Sequence, residues 1–356
     1  MANVILGGDG NDLLVCTNGS DFLDGGKGFD TADYSSLGSV VSLSSFGRLG
    51  KVSLGTETLI GIETIIGSSL QGDTVDHSGA SVAPATGTVT NLSTGVVTVN
   101  GTAAPQPLTF NVSQFENVSG SGFADTITGN GANNALSGGA GNDTISGGTG
   151  NDTINGEAGT DTASYLDASA AVSVSLSSGS SSGGAGSDTL IAIENVTGSN
   201  FADTISGGVD ANSLSGEDGN DTISAGSGND TITGGAGKDL LFGEAGADKF
   251  VYTALTDSLL ASFDVIADYA TGEVIDRPGT GVTLNSSSGT ATSLSATSVA
   301  SILNAFSFTA NSSAALTVVG FSGTFLAFND ATAGFNASTD SILQLPVYNI
   351  NTSKPS

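Results

Sequence analysis

The sequence predicts an all-β fold, a flattened parallel solenoid, and three observations predict it. From Gly198 to Val251 the chain repeats every nine residues: GSNFADTIS, GGVDANSLS, GEDGNDTIS, AGSGNDTIT, GGAGKDLLF and GEAGADKFV. Glycine recurs at positions one, two and four of the nonamer. The sixth position is Asp203, Asn212, Asp221, Asp230, Asp239 and Asp248, and the eighth is Ile205, Leu214, Ile223, Ile232, Leu241 and Phe250. A helical face repeats at about 3.6 residues and does not carry glycine at three places in every nine. The glycines supply left-handed or crowded backbone at a sharp turn. Positions seven to nine, such as Thr222-Ile223-Ser224, then form a short strand with one side chain pointing inward. Two nonamers make one coil, the inward Ile and Leu stack into a thin core, and the turns stack along two edges.

Stacked turns bring carboxylates eighteen residues apart together, Asp203 with Asp221 and Asp230 with Asp248. Carboxylates held that close repel one another unless a cation lies between them. Calcium fits best, because it accepts carboxylate and backbone carbonyl oxygens in flexible numbers and glycine turns leave carbonyls free. These nonamers resemble the RTX repeat, GGxGxDxUx. The resemblance implies a right-handed parallel β-roll, with each ion lying between one turn and the turn two repeats later.

Glycine makes up 53 of the 356 residues, in register rather than scattered, which favours an ordered elongated array over a disordered low-complexity chain. The 35 acidic residues against seven basic ones give a net charge of −28, which argues against binding nucleic acid or anionic lipid. Filling about eight inter-turn sites with divalent calcium would cancel roughly sixteen charges. Metal binding and folding are therefore expected to be one event. Cys16 is the only cysteine, so no intramolecular disulfide or thiolate cluster is expected. The start MANVILGGDG lacks the features of a cleaved leader, and no run approaches membrane-spanning length. Weak calcium sites fill where calcium is abundant, which points to an extracellular or cell-surface location. The RTX resemblance implies export in one step through a type I secretion apparatus, guided by an uncleaved C-terminal signal.

In chain order, residues 1–33 hold a first short array, GGDGNDLLV, CTNGSDFLD and GGKGFDTAD, with Asp12, Asp21 and Asp30 at position six. It begins almost at the initiator Met, leaving little room for an N-terminal domain. Residues 34–119 form a β-rich spacer, with runs such as SVVSLSS and GVVTVNG. Residues 120–164 form a second array, with Asp125, Asn134, Asp143, Asp152 and Asp161 at position six and Ile127, Leu136, Ile145, Ile154 and Ala163 at position eight. A second spacer, 165–197, leads to the third array at 198–251, and 252–356 form a capping, secretion-associated β-rich tail. Asn134 and Asn212 lower the ligand charge, so weaker sites are expected there.

A larger repeat overlies the nonamers. DTADY from Asp30 matches DTASY from Asp161, LIGIETIIGS from Leu59 matches LIAIENVTGS from Leu190, and a partial third copy, FENVSGSGFADT, begins at Phe115. In each, a glutamate (Glu63, Glu116 or Glu194) precedes a β-run into glycine turns, and these glutamates are expected to cap the roll's edge or to meet a stray cation. After the third array, KFVYTALTDSLLASFDVIADYATGEVID contains a D-x-I-x-D-[FY] run from Asp264 to Tyr269, similar to the segment that closes RTX arrays in many secreted proteins. An apolar helical candidate, SVASILNAF, and strands around LTVVGF, TFLAFND and DSILQL follow. The run TFLAFNDATAGFNASTDSILQL resembles the bluetail domain found on surface proteins of cyanobacteria.

The inventory of catalytic groups is thin. His77 is the only histidine, which excludes zinc motifs needing two. Ser181, within GSSSG, fits a nucleophile-elbow pattern formally but lacks the strand before it and the helix after it. Lys238 is followed by Asp239 where a phosphate loop requires Ser or Thr. The expectation is thus a secreted, non-enzymatic β-roll that folds on binding multiple calcium ions, acting as a surface, adhesion or matrix component with a cell-surface or self-assembly partner. The expected carboxylate ligands are Asp12, Asp21, Asp30, Asp125, Asp143, Asp152, Asp161, Asp203, Asp221, Asp230, Asp239 and Asp248. One alternative is the calcium-dependent secretion and folding module of a type I-secreted hydrolase. Another is a Thr-bearing solenoid face that binds ice or a crystalline surface.

Overall fold

The computed structural model describes residues 3–16, 20–44, 48–51, 55–60, 62–78, 87–99, 108–254, 257, 263–269, 273–276, 284–291, 313–318, 324–328 and 341–345. Among them the regular structure is β, in short strands that pair mostly in parallel, and there is no α-helix. No helix of the described residues is long and apolar enough to cross a membrane. The chain divides into two compact units, residues 1–168 with 179–195, and residues 169–178 with 196–356.

In the first unit the nine-residue period becomes two strand stacks. Strand Val4–Asp9 pairs in parallel with Phe22–Lys27, and Leu13–Val15 with Thr31–Asp33, each at a register of eighteen residues. The second array repeats this: Ile127 lies beside Ile145 and Ile145 beside Ala163 on one stack, Leu136 beside Ile154 on the other. One coil is therefore two nonamers, as the period requires. In Thr126–Thr128 and Thr144–Ser146 the middle residue, Ile127 or Ile145, points inward and is fully buried, while the threonine before it is exposed. Ala32 and Ala163, the small eighth-position residues, are each followed two residues on by a buried tyrosine, Tyr34 or Tyr165.

The first spacer continues the roll and adds antiparallel excursions. Gly55–Ile60 pairs in parallel with Phe22–Lys27, and Val41–Ser44 with Thr74–Asp76. Between them the chain leaves as a meander, with Arg48–Lys51 antiparallel to both Val41–Ser44 and Gly55–Ile60. Thr88–Asn91, Val96–Val99 and Leu108–Ser113 make a second meander, whose outer strands rejoin the parallel stack beside Thr126–Thr128 and Thr64–Ile66.

In the second unit Val174, Ile205, Ile223, Leu241 and Ile266 stand side by side along one stack. Val196, Leu214, Ile232, Phe250 and Ile275 line the other. The D-x-I-x-D-Y run thus supplies the coil after the last nonamer. The tail strands expected from LTVVGF, TFLAFND and DSILQL are Ser313–Val318, Thr324–Phe328 and Ser341–Leu345, an antiparallel ribbon. Ser341–Leu345 adds in parallel to Asp264–Ile266 and covers the stack's edge. The helical candidate SVASILNAF and the middle of the bluetail-like run lie outside the described residues.

Candidate metal centre

Each turn delivers its aspartate just before the strand, and backbone space decides how. A Cβ built on Gly216, at position one, would run into Oδ2 of Asp221 and the carbonyl oxygen of Gly234 in the next coil. Position-one glycine is thus needed for room rather than for its backbone angle. Glycines at positions two and four do take left-handed angles, as at Gly139 with φ of 100° and Gly219 with φ of 148°. Position two also accepts glutamate: Glu157, Glu217 and Glu244 stand at φ of 68°, 71° and 62°. The Ser215 hydroxyl donates to Glu217 at 2.8 Å, and Ser137 and Ser224 donate likewise to Glu157 and Glu244.

The position-six carboxylates share one arrangement. Oδ1 of Asp221 accepts the backbone N–H of Asp203 at 2.7 Å, Oδ1 of Asp239 that of Asp221 at 2.9 Å, and Oδ1 of Asp248 that of Asp230 at 2.9 Å. Asp143 and Asp161 accept from Asp125 and Asp143 at 2.7 and 2.8 Å, Asp152 and Asp230 from Asn134 and Asn212 at 2.8 Å, Asp30 from Asp12 and Asp21 from Asn3 at 2.8 Å. The aspartates therefore meet through an amide of one coil and a carboxylate of the next, rather than oxygen to oxygen.

The second oxygen is the informative one. Oδ2 of Asp12, Asp30, Asp143, Asp152, Asp161, Asp221, Asp230, Asp239 and Asp248 is buried and has no hydrogen-bond donor from the protein. Such an atom is costly unless something positive meets it. Neither described ion pair, Lys27 with Asp9 or Lys249 with Asp276, involves these carboxylates. Burial, the largest cause, pushes Asp143, Asp152 and Asp239 up to about 6 and Asp221 up to about 8, with neighbouring carboxylates adding to it. Among the described residues no three His, Cys, Asp or Glu side chains gather as an all-side-chain centre. Carboxylate and carbonyl oxygens brought together at a glycine are instead the donor set of a hard cation, and they fit calcium.

Two of the expected ligands differ. Asp125 accepts from the Thr88 and Ser121 amides and from both hydroxyls. Asp203 accepts from the Ser199 amide at 2.5 Å, the Ser199 hydroxyl at 2.7 Å and the Val172 amide at 2.8 Å. Both carboxylates use both oxygens within the protein. The neutral Asn134 and Asn212 accept the amides of Asn130 and Gly208 at 2.8 Å.

Several site residues were not visible in the nonamer. Asp264 offers Oδ1 to the Asp239 amide at 2.9 Å, across 25 residues instead of 18, so it extends the carboxylate column; burial raises it to about 8. Asp188 does the same for Asp152 at 3.0 Å across 36 residues. Position-five asparagines also tie neighbouring coils within each unit, Asn11 accepting from Phe29, Asn142 from Thr160 and Asn220 from Lys238 at 2.9–3.1 Å. Repeated GND in the sequence was the available signal. The spacer glutamates do cap: Oε2 of Glu63 and Glu194 accepts the amides of Asp30 and Asp161 at 2.8 Å, and Glu116 those of Gly72 and Asp73 at 3.0 and 3.1 Å.

The family model for the RTX calcium-binding nonapeptide repeat matches residues 1–32, 114–145, 128–163, 197–232 and 215–250. These ranges contain all twelve expected aspartates. No curated protein matches the chain.

Proposed function

We propose that this chain, a calcium-binding β-roll carrying RTX nonapeptide repeats, is a secreted, non-enzymatic surface or matrix protein that folds when it meets extracellular calcium. The observation that carries the reading is the set of buried Oδ2 atoms with no protein donor, among them Asp12, Asp30, Asp143, Asp152 and Asp161 in the first unit and Asp221, Asp230, Asp239 and Asp248 in the second. Several calcium ions, held by these oxygens and by turn carbonyls, would neutralise them and lock successive coils together. A chain of net charge −28 stays extended by self-repulsion where calcium is scarce, which suits passage through a type I secretion channel. The tail from residue 252 onward would carry the export signal. Secretion from a host with a type I apparatus tests this: the full chain should reach the medium, and a chain lacking 252–356 should stay inside. Normal secretion of the truncated chain would contradict the export reading.

The hydrolase-module alternative separates by assaying the intact chain on peptide and ester substrates, where this reading expects no turnover. A second reading has its own observation. Thr126, Thr144 and Thr162 stand in register on neighbouring strands, with Thr126 and Thr144 exposed. Such a row could meet ice or a crystalline face, and thermal hysteresis of the calcium-loaded chain tests it.

A further inference from the structure

Three turns, one in the first spacer at Gly67 and the two that open the second and third arrays at Gly120 and Gly198, are built differently from those within the arrays. Gly-Ser replaces Gly-Gly at their first two positions, in GSS at Gly67, GSG at Gly120 and GSN at Gly198. In each, the serine folds back onto the aspartate that follows. The Ser68 hydroxyl donates to Asp73 at 2.9 Å, Ser121 to Asp125 at 2.9 Å and Ser199 to Asp203 at 2.7 Å, and the same serine's amide donates to the other or the same carboxylate oxygen. A further amide completes each set: Val41 on Asp73, Thr88 on Asp125 and Val172 on Asp203. Position four carries Phe123 and Phe201 in the second and third arrays, where the other turns mostly carry glycine. The second spacer uses the same chemistry at Asp188, whose Oδ2 accepts the Ser181 hydroxyl at 2.7 Å.

Resting on the calcium reading above, we infer that Ser68, Ser121 and Ser199 decide which turns take calcium: the three turns they close hold no ion. Hydroxyl and amide donors satisfy there what a cation satisfies elsewhere, so Asp73, Asp125 and Asp203 are structural acceptors and not ligands. A carboxylate that already accepts three or more hydrogen bonds would have to break them to coordinate a metal. The next coil contrasts directly. Asp143 and Asp221 lie one coil beyond Asp125 and Asp203, and their Oδ2 atoms have no protein donor. Five residues before each closing serine stands Glu63, Glu116 or Glu194, capping amides of the preceding coil. The glutamate and serine together form a metal-independent boundary, and in the second and third arrays the calcium turns begin one coil after it, at Asp143 and Asp221.

Equilibrium dialysis of the full chain against calcium, with folding checked by far-UV circular dichroism, tests the inference. Asp125→Asn with Asp203→Asn should leave the number of bound ions unchanged, and Asp143→Asn with Asp221→Asn should lose at least one ion per substituted turn. Equal losses from both pairs would overturn the inference while leaving the calcium reading intact. A wild-type chain that binds no calcium would overturn both. If the first pair does not fold, the crystal structure of the calcium-loaded wild-type chain decides. Ions beside Asp143 and Asp221 but not beside Asp125 and Asp203 support the inference; ions beside all four overturn it.

Discussion

The amide of Asp203 donates to the carboxylate of Asp221 at 2.7 Å, although eighteen residues separate them. That bond ties one coil to the next and uses one oxygen of Asp221, leaving the other buried without a protein donor. Structure and metal chemistry are thereby assigned to the two oxygens of one side chain.

Exchange of the carboxylate for its amide should separate those roles. Asn keeps an oxygen for the Asp203 amide but loses the charge, and the roll already holds Asn134 and Asn212 at position six, where their oxygens accept amides of their own turns. In chelator at pH 8 Asp221→Asn should shift the balance toward the folded state by about 1–3 kcal/mol, seen as more residual β signal, because a buried unpaired charge is removed. In calcium it should lower the affinity. Far-UV circular dichroism across a calcium titration that starts in chelator reads both signs; a smaller β signal in chelator than the wild-type chain's would contradict the account.

In chelator the protein should lose stability as pH rises. The folded carboxyls of Asp143, Asp152 and Asp239 are pushed up to about 6 and Asp221 to about 8, against an unfolded value of about 3.9. Raised folded values mean that the native state binds more protons. Their contribution is complete below the unfolded value and is lost as pH rises from about 4 to about 6 for Asp143, Asp152 and Asp239 and to about 8 for Asp221. In chelator the residual β signal should be greater at pH 5 than at pH 8, while calcium affinity, which needs deprotonated ligands, should run the other way.

Core and surface of one strand should respond unequally. Ile223 is fully buried between Ile205 and Leu241, so Ile223→Ala should cost about 3 kcal/mol in the calcium-loaded chain. Thr222→Ala, on the outward side, should stay within about 0.5 kcal/mol. Equal costs would mean that the inward stack is not the core.

The caps are open to the same treatment. Glu194→Ala leaves the Asp161 amide without its acceptor and should cost about 1–2 kcal/mol, whereas Glu194→Gln should restore most of the loss. Thermal unfolding in calcium distinguishes them, and an equal loss from both would show that charge, not acceptance, matters there.

Period and residue type made the roll, its inward column and the carboxylate edge legible, because a nonamer can place Ile145 beside Ile127 in only one way once a coil is two nonamers. The meander of Arg48–Lys51 was not legible, since alternating β-runs look alike whether they pair in parallel or antiparallel. Asp188 and Asp264 escaped because insertions shift them to 36 and 25 residues from their partners. Asp125 and Asp203 match the nonamer at position six, yet the serine four residues before each changes what the carboxylate meets. Consensus fixes where a carboxylate stands, and its neighbours fix whether it is free to bind.

The most direct test is far-UV circular dichroism of the purified chain during a calcium titration, with magnesium as the control. A cooperative gain of β signal with calcium and none with magnesium is the expected result, because the buried carboxylate column needs that cation to close. A β spectrum already complete in chelator would contradict calcium-coupled folding and confine the ion to peripheral sites.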